Sequence, residues 1–484
     1  MSATVFNPSM IMAILPEILL LALAILVLII DPFLKEANRR NLGWLTFLGL
    51  LVTLVVSLAI ARPGEPVMVL GGMLRYDWLG FFFKMLFLFS AAVTALFMMD
   101  VKKLGRRGEA YLLLLASTLG MNLMASSANL VMLYLAIETT SIPLYILAGF
   151  MLADDRSTEA GFKYLLFGAL TSTVMLYGFS LLYGFTGTTS IYDLAALFVS
   201  GQLPGYITLG VVLLVIVGLC FKISIVPFHF WAPDVYEGSP TPVTGFLSTA
   251  SKAAGFAVLM RLFLVAFPEI AVSWSLLLGA LATLTMVLGN LLALAQKNIK
   301  RLLAYSSIAH AGYILIGVVA ASTSLGVTSV IFYLIAYILT NLAAFGIVAA
   351  VGQVTGSDEI SAYSGLSRRS PALGLALLVA FLSLAGMPPF GGFVAKVFVF
   401  TAAVQVGMVW LAVVGVLNSI VGMYYYLIVL KHVYLYRSEG EDQPLLISPP
   451  YVMALVVLTI GILLLGTFFA PWFGLSAAAA VNLF

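Results

Sequence analysis

Ionisable side chains stand inside long apolar stretches of this sequence at a small number of positions. They are one glutamate and four lysines: Glu138, Lys163, Lys222, Lys252 and Lys396. A charge in hydrocarbon is costly, so ionisable groups in membrane segments are functional candidates. Burial disfavours the ammonium form of a lysine and a nearby carboxylate favours it, so a lysine in such a site can gain and lose a proton. The chemistry predicted for these residues is proton transfer.

The order of these residues predicts a proton relay. We expect Glu138 to pair with Lys222, so that withdrawing the carboxylate makes this lysine release its proton toward Lys252. Internal water and hydroxyl groups would carry the proton onward. His310, one turn after two serines near the start of a predicted helix, is a further candidate because histidine titrates near neutral pH. Lys396 is expected to be the terminal carrier of the second half of the chain, stabilised by hydroxyls and dipoles without a permanent carboxylate partner.

Structural interpretations stand beside these functional ones. Lys163 lies near a predicted helix end, where a lysine can extend its amine to the cytoplasmic interface. His310 could serve helix packing alone, and Lys396 could extend to the outer interface or pair with an adjacent subunit. A buried ion-pair network that only fixes helix packing is the alternative for Glu138, Lys222 and Lys252.

Two further groups lie outside this set. His229 stands in a predicted helix break, where capping of free carbonyl groups competes with proton transfer. Glu17 and Lys84 precede the region that carries the other candidates. We interpret this last pair as structural residues or as subunit contacts.

The elements that position these residues must be membrane helices. The chain has 484 residues, of which 62% are hydrophobic and 9% charged, and apolar stretches of the length that spans a bilayer recur along it. We predict an all-α integral membrane protein with about fourteen transmembrane helices. Their spans are 10–30, 42–61, 78–99, 110–126, 128–152, 159–183, 206–226, 240–266, 272–295, 302–320, 325–351, 372–403, 407–436 and 450–470.

Positive charges predict the orientation in a cell inner membrane, because lysine and arginine collect in cytoplasmic loops. Placing both termini on the non-cytoplasmic side puts the cluster Lys102, Lys103, Arg106 and Arg107 inside, and leaves the 184–205 loop almost free of charge outside. The net charge of +3 reflects this bias, and no basic patch indicates nucleic acid. The first stretch, 10–30, has no preceding basic region and is predicted to be a retained helix.

Two predicted helices carry the same interruption. Helix seven runs into Pro227, and helix twelve into Pro388 and Pro389 with glycines on both sides. Proline removes a backbone donor, so each helix should break there. Paired interruptions are typical of inverted-repeat transporters. We therefore predict two inverted five-helix repeats, within the divisions 1–109 (helices one to three), 110–266 (first repeat), 267–436 (second repeat) and 437–484 (helix fourteen).

Motifs for other chemistry are absent from the sequence. It has no glycine-rich phosphate loop, no dinucleotide fingerprint and no cysteine and histidine cluster at metal spacing. Its single cysteine, Cys220, lies in an apolar run. We expect no metal and no redox cofactor in this chain.

Four separated motifs resemble the antiporter-like membrane subunits of proton-pumping NADH:quinone oxidoreductase, respiratory complex I, and the related multisubunit cation/proton antiporters. The motifs are FKISIVPFHFW at 221–231, GSPTPVTGFLSTASK at 238–252, LLAYSSI at 302–308 and GMPPFGGFVAK at 386–396. The resemblance extends over nearly the whole chain. It implies that the glutamate of helix five and the lysines of helices seven, eight and twelve are Glu138, Lys222, Lys252 and Lys396.

Among the paralogues, the chain is most similar to subunit N. Lys163 matches a helix-six lysine of that type, and the M-type subunit carries glutamate where this chain has Lys396. The resemblance implies a proton channel driven by quinone reduction in other membrane-arm subunits, which would hold NADH, FMN, iron–sulfur clusters and quinone. A subunit of a multisubunit sodium/proton antiporter shares the core motifs and is the alternative. An assembly scaffold is a third interpretation.

Overall fold

The computed structural model describes residues 8–101, 103–199, 205–437 and 444–481. Its first section contains four helices and a short antiparallel hairpin that joins two of them. In chain order these elements are α1 (Pro8–Ala13), α2 (Leu15–Ile30), α3 (Asn41–Ile60), β1 (Val67–Val69), β2 (Leu74–Tyr76) and α4 (Trp78–Met98). The hairpin was not predicted, because its strands of three residues are too short for an alternating pattern to be recognised.

The second section carries the first interrupted helix. It consists of α5 (Gly108–Ser126), α6 (Leu130–Ala148), α7 (Asp155–Thr186), α8 (Ile191–Val199), α9 (Gly205–Ile223), α10 (Trp231–Gly238), α11 (Thr241–Phe246) and α12 (Lys252–Ala266). A π-helical turn, Leu247–Ser251, joins α11 to α12 and ends directly before Lys252. Such turns occur frequently at functional sites.

The third section carries the second interruption, and two apolar helices follow it. The elements are α13 (Ala271–Leu294), α14 (Ile299–Val319), α15 (Ser324–Thr355), α16 (Leu366–Arg369), α17 (Pro371–Ala385), α18 (Gly391–Gln405), α19 (Val409–Tyr434), α20 (Pro449–Thr467) and α21 (Phe469–Ala480). Helix α21 was not among the predicted spans.

Twelve helices in the described residues are long and apolar enough to cross a membrane. The prediction of about fourteen also counted α5 and the interrupted helix made of α17 and α18, and both regions are helical. The all-α membrane class is therefore confirmed, and the number of crossings stays a prediction. Several helices extend beyond the predicted bounds: α7 and α15 each contain 32 residues. Each begins after a capping side chain, Asp154 or Thr323, and ends before a glycine with a positive φ, Gly187 or Gly356.

Both predicted interruptions are present. Helix α9 ends at Ile223 and α10 begins at Trp231, while α17 ends at Ala385 and α18 begins at Gly391. Backbone groups freed by the first break find partners inside the protein: the Trp231 indole Nε1 donates to the Phe221 carbonyl over 3.1 Å, and the Val226 amide donates to Thr285 Oγ1 over 3.1 Å. This satisfies the requirement that irregular backbone at membrane depth be paired.

Glycine is required at the second interruption. Gly386 follows α17 with a φ of +84°, a conformation that favours glycine. A side chain on Gly392 would lie 1.9 Å from the Ser383 carbonyl oxygen, so the start of α18 packs directly on the end of α17.

The two halves share further features. Helices α6 and α14 begin at asparagine caps, Asn129 and Asn298. Each asparagine forms a bridge to the residues that follow the 32-residue helix of its own half, at Ser190 and Glu359. These correspondences support the predicted repeats, whereas the inverted symmetry that relates them stays a prediction.

Burial separates central from peripheral helices. Three spans are central: α11 together with α12, α14, and α15. In the apolar segment of each of these spans 94% of the residues are buried, against 28% in the segments that contain α2 and α3. The central helices carry Lys252 and His310. Water and lipid therefore have little direct access to these side chains.

The predicted membrane orientation can be tested by cysteine labelling. Single cysteines at Asp193 and Lys103, both exposed, should respond oppositely to a membrane-impermeant thiol reagent applied from outside, because the positive charges place only the first position there. Native Cys220 is buried, so background labelling should be low. Labelling at Lys103→Cys but not at Asp193→Cys would reverse the orientation. Lys102 and residues 200–204 of the predicted loops lie outside the described residues.

Candidate functional site

Four of the predicted relay residues lie in the protein interior. Lys222, Lys252, His310 and Lys396 are between 2% and 5% exposed. They come from four different elements, α9, α12, α14 and α18. These four residues, two from each predicted repeat, therefore lie away from lipid.

Glu138 and Lys222 line one small cavity between α6, α7 and α9. The centre of a water molecule could occupy about 10 Å³ of this cavity, which is close to the space that a single bound water requires. The Lys222 amine donates to Ser141 Oγ over 2.9 Å, and the Ser172 hydroxyl donates to the Glu138 carboxylate. No ion pair within 4.0 Å joins Glu138 to Lys222 in the described structure, so the geometry suits an interaction through a hydroxyl or a water.

Glu138 differs from the prediction in its burial. Its side chain lies at the rim of the bundle and is half-buried, whereas the apolar residues before it in the sequence suggested an interior position. The helix turns the apolar Leu135 outward and Ala136 inward, so apolar neighbours do not distinguish a lipid-facing position from a core position.

The helix that carries Lys252 packs against the element that carries Lys222. A side chain on Gly255, one turn along α12, would lie 3.2 Å from Lys222 Cγ, so the two elements touch. The Lys252 amine donates to the Ser307 carbonyl over 2.9 Å and to the Ser307 hydroxyl. It also lies 5.9 Å from the centre of the Tyr236 ring. Lys252 is thereby connected to α14.

A network of hydroxyl groups continues from Ser307. The Tyr337 hydroxyl donates to Ser307 Oγ over 2.8 Å, and the Asn341 amide donates to the Tyr337 hydroxyl over 3.0 Å. His310 Nδ1 lies 2.8 Å from the Tyr333 hydroxyl. His310 lies in the middle of α14 and not near its start, because the helix begins before the predicted boundary.

His310 also connects to α19. Its Nε2 lies 3.4 Å from the Tyr426 hydroxyl, which is hydrogen-bonded to Ser306. Its ring centre lies 5.7 Å from that of Tyr313. The histidine is thus surrounded by groups that can both donate and accept a proton.

The tyrosines of this network were not predicted from the sequence. Tyr333, Tyr337 and Asn341 recur every fourth residue along α15, so they lie on one face of the helix. A polar stripe at this spacing within an apolar span was the available signal. It was hidden because tyrosine counts as apolar in hydropathy patterns.

Lys396 lies at the second helix break. Its amine donates to the last two carbonyl groups of α17, those of Leu384 and Ala385, over 3.1 and 3.0 Å. It also lies 4.7 Å from the centre of the Tyr313 ring. A helix C-terminus and an aromatic face both attract a cation. The expected dipoles are present, but carbonyl groups and a ring take the place of the expected hydroxyls.

Lys163 lies apart from the cavity shared by Glu138 and Lys222. Its amine pairs with Glu159 and Asp234, each over 2.6 Å, and a third of its side chain is exposed. Lys163 therefore has fixed carboxylate partners, unlike the buried lysines of the relay. Its predicted role as a proton carrier is not tested by this geometry.

The other singled-out residues have structural partners. Lys84 forms a buried 2.8 Å ion pair with Glu17 and donates to the Ala13 carbonyl over 2.8 Å, as expected for structural residues. His229 is buried with its ring 4.5 Å from Phe230. In the described residues, no group of three or more histidine, cysteine, aspartate or glutamate side chains is placed to hold a metal.

Comparison with known proteins gives consistent matches. The family described as NADH:quinone oxidoreductase/Mrp antiporter, transmembrane, matches residues 127–422. The chain is similar to NADH-quinone oxidoreductase subunit N of Moorella thermoacetica, with 45% identity over 97% of this chain and 98% of the relative. The subunit N of Trichlorobacter lovleyi is 41% identical over 96% of each chain.

Solved structures agree in fold. A chain of respiratory complex I from Thermus thermophilus with bound aureothin matches with a TM-score of 0.81 and 36% identity, over 96% of this chain and 99% of that one. A chain of the Mrp complex from Dietzia has a TM-score of 0.86 at 22% identity, over 99% and 98%, and shows the fold alone.

Proposed function

The chain belongs to the NADH:quinone oxidoreductase/Mrp antiporter transmembrane family, and we propose that it carries protons across the membrane as a subunit-N-type member of the membrane arm of NADH-quinone oxidoreductase. The sequence resemblance to subunits N of that enzyme supports this choice over a sodium/proton antiporter. Its partners are then other membrane-arm subunits, the surrounding lipid and internal water.

The observation that carries the proposal is the environment of three buried lysines of the predicted relay. Lys222, Lys252 and Lys396 hydrogen-bond to hydroxyl and carbonyl oxygens, and no carboxylate pairs with them within 4.0 Å in the described residues. A fixed salt bridge would hold the proton on each amine. Neutral partners let each amine be charged or neutral as its surroundings change.

The proposed route runs through elements that pack against one another. A proton moves from the cavity of Glu138 and Lys222 to Lys252, and then through the hydroxyl network around Ser307 and His310 to Lys396. Hydroxyl groups can rotate between donating and accepting, so a connected chain of them can pass protons. The route crosses from the first predicted repeat to the second at the contact of Lys252 with Ser307.

Electron transfer is assigned to other subunits in this proposal. As the family resemblance implies, these would bind NADH, FMN, iron–sulfur clusters and quinone. This chain then acts as a non-redox part of the enzyme, with both termini on the non-cytoplasmic side of the inner membrane.

Glu138→Gln tests the proposal. We expect several-fold less proton pumping for each NADH oxidised, because an uncharged amide cannot influence the charge of Lys222. The amount of assembled complex should change little, since Ser172 can still hydrogen-bond to the amide. Pumping would be measured in membrane vesicles with a pH-sensitive dye, and assembly by native electrophoresis.

Glu17→Gln is the matched control, because Glu17 is a carboxylate paired with a lysine at a site outside the relay. It should lower assembly or stability while leaving pumping per NADH unchanged in the complex that does assemble. If Glu138→Gln pumps like the wild type, or if both variants fail only in assembly, the chain is a scaffold and the proton-carrier proposal is wrong.

A further inference from the structure

We propose that Lys163, Asp234, Arg301 and Glu237 form a charge clamp that holds the half-helix α10 in place, and that Lys163 serves in it as a permanently charged residue. This inference rests on the proposed function, because its consequence is the placement of a tyrosine beside the proton route. It differs from the interpretation of Lys163 as a proton carrier.

Helix α10 needs such support because of its length and position. It has eight residues, and the break of residues 224–230 separates it from α9. An isolated helix this short is not stable by itself. Its start is fixed by Trp231, whose ring stacks on Tyr164 of α7 with a centroid distance of 4.4 Å. Its other end requires separate contacts.

The clamp supplies those contacts from two sides. Asp234 accepts from Lys163 of α7 over 2.6 Å and pairs with Arg301 of α14 over 2.7 Å. Glu237 pairs with the same guanidinium over 2.8 Å. The two carboxylates are three residues apart, so they lie on the same side of α10. Arg301 and Lys163 thus tie one face of the half-helix to both halves of the chain.

A second lysine completes the anchoring. Lys300, the neighbour of Arg301, donates to the carbonyl groups of Glu237 and Ser239 at the end of α10, the second over 2.9 Å. Gly238 approaches α7 so closely that a side chain there would lie 2.1 Å from the Arg156 carbonyl oxygen. The end of α10 therefore packs closely against α7.

The clamp positions Tyr236, which lies between Asp234 and Glu237 in the sequence. Its side chain points into the core, where its hydroxyl lies 3.5 Å from Ser307 Oγ and its ring lies 5.9 Å from the Lys252 amine. The position of α10 thus determines how the ring and hydroxyl of Tyr236 contact the proposed route.

The chain therefore contains lysines in two kinds of surroundings. Lys252 and Lys396 are buried among neutral acceptors, whereas Lys163 is partly exposed between two carboxylates. Two carboxylates keep the Lys163 amine charged, and a clamp needs only that charge. Arginine, which does not deprotonate, should then replace Lys163 but not Lys252.

The test compares Lys163→Arg and Lys163→Gln with Lys252→Arg in the fully assembled enzyme in vesicles. Lys163→Arg should pump protons per NADH as the wild type does. Lys163→Gln should lose about twofold to fivefold, the range that corresponds to a partly exposed ion pair, with normal assembly. Asp234→Asn should lose at least as much, because it also removes the pair with Arg301. Combining it with Lys163→Gln should cost less than the product of the two single losses, because both changes remove the pair of Lys163 and Asp234.

Two results would overturn the clamp: Lys163→Arg pumping no better than Lys163→Gln, which would show that proton exchange is needed there, or Lys163→Gln pumping normally. The result for Lys252→Arg is independent of both. Full pumping by that variant would refute the proposed route, while the Lys163 variants would still decide the role of the clamp.

Discussion

Replacing Lys396 by alanine should remove most proton pumping from the assembled enzyme, and arginine should not restore it. The amine lies at the end of α17 against two carbonyl groups and the Tyr313 ring. Alanine deletes the proton-binding group. Arginine keeps a charge at this site but does not release protons, so the route would stop before its terminal carrier.

The measurement is proton uptake per NADH oxidised in vesicles, with assembly checked by native electrophoresis. Lys431→Arg is a suitable control, because Lys431 is an exposed lysine of the same half of the chain and should tolerate the exchange. Full pumping by Lys396→Arg would show that the site needs a charge and not proton exchange. A lysine that only extends to the outer interface would behave in that way.

Replacing Asp77 by asparagine should destabilise the subunit by about 3–5 kcal/mol, the usual cost of leaving a buried charge without its partner. Asp77 and Arg261 are 1% and 2% exposed. The guanidinium donates to both carboxylate oxygens, over 2.7 and 2.9 Å. Asp77 also caps α4 by accepting from the Gly80 amide over 2.8 Å. Each of these contacts weakens when the carboxylate becomes an amide.

The loss should appear as less assembled complex and a lower thermal midpoint, with pumping per NADH unchanged in what remains. Arg261→Met should have a similar effect, and the double variant should be more stable than the sum of the two losses predicts, because the two changes remove both members of one buried pair. Single variants that melt like the wild type would contradict a structural role for this pair.

The sequence by itself determined the class of protein, both helix breaks and most of the candidate residues. These conclusions depend on local chemistry. Apolar stretches of spanning length require a bilayer, proline removes a backbone donor and favours a helix break, and a lysine in an apolar run is conspicuous without knowledge of its neighbours. Lys222, Lys252, His310 and Lys396 were therefore predicted as interior residues, and the structure buries them.

Only the tertiary structure decided which groups these residues contact, because partners are chosen by packing between helices distant in sequence. Asp77 and Arg261 are 184 residues apart, and neither was singled out, although an arginine within a predicted span was a signal. Lys163 and Asp234 meet across 71 residues, which changes the interpretation of the lysine. Every residue type has a backbone carbonyl group, so no pattern of side chains could have predicted the carbonyl groups that surround Lys396.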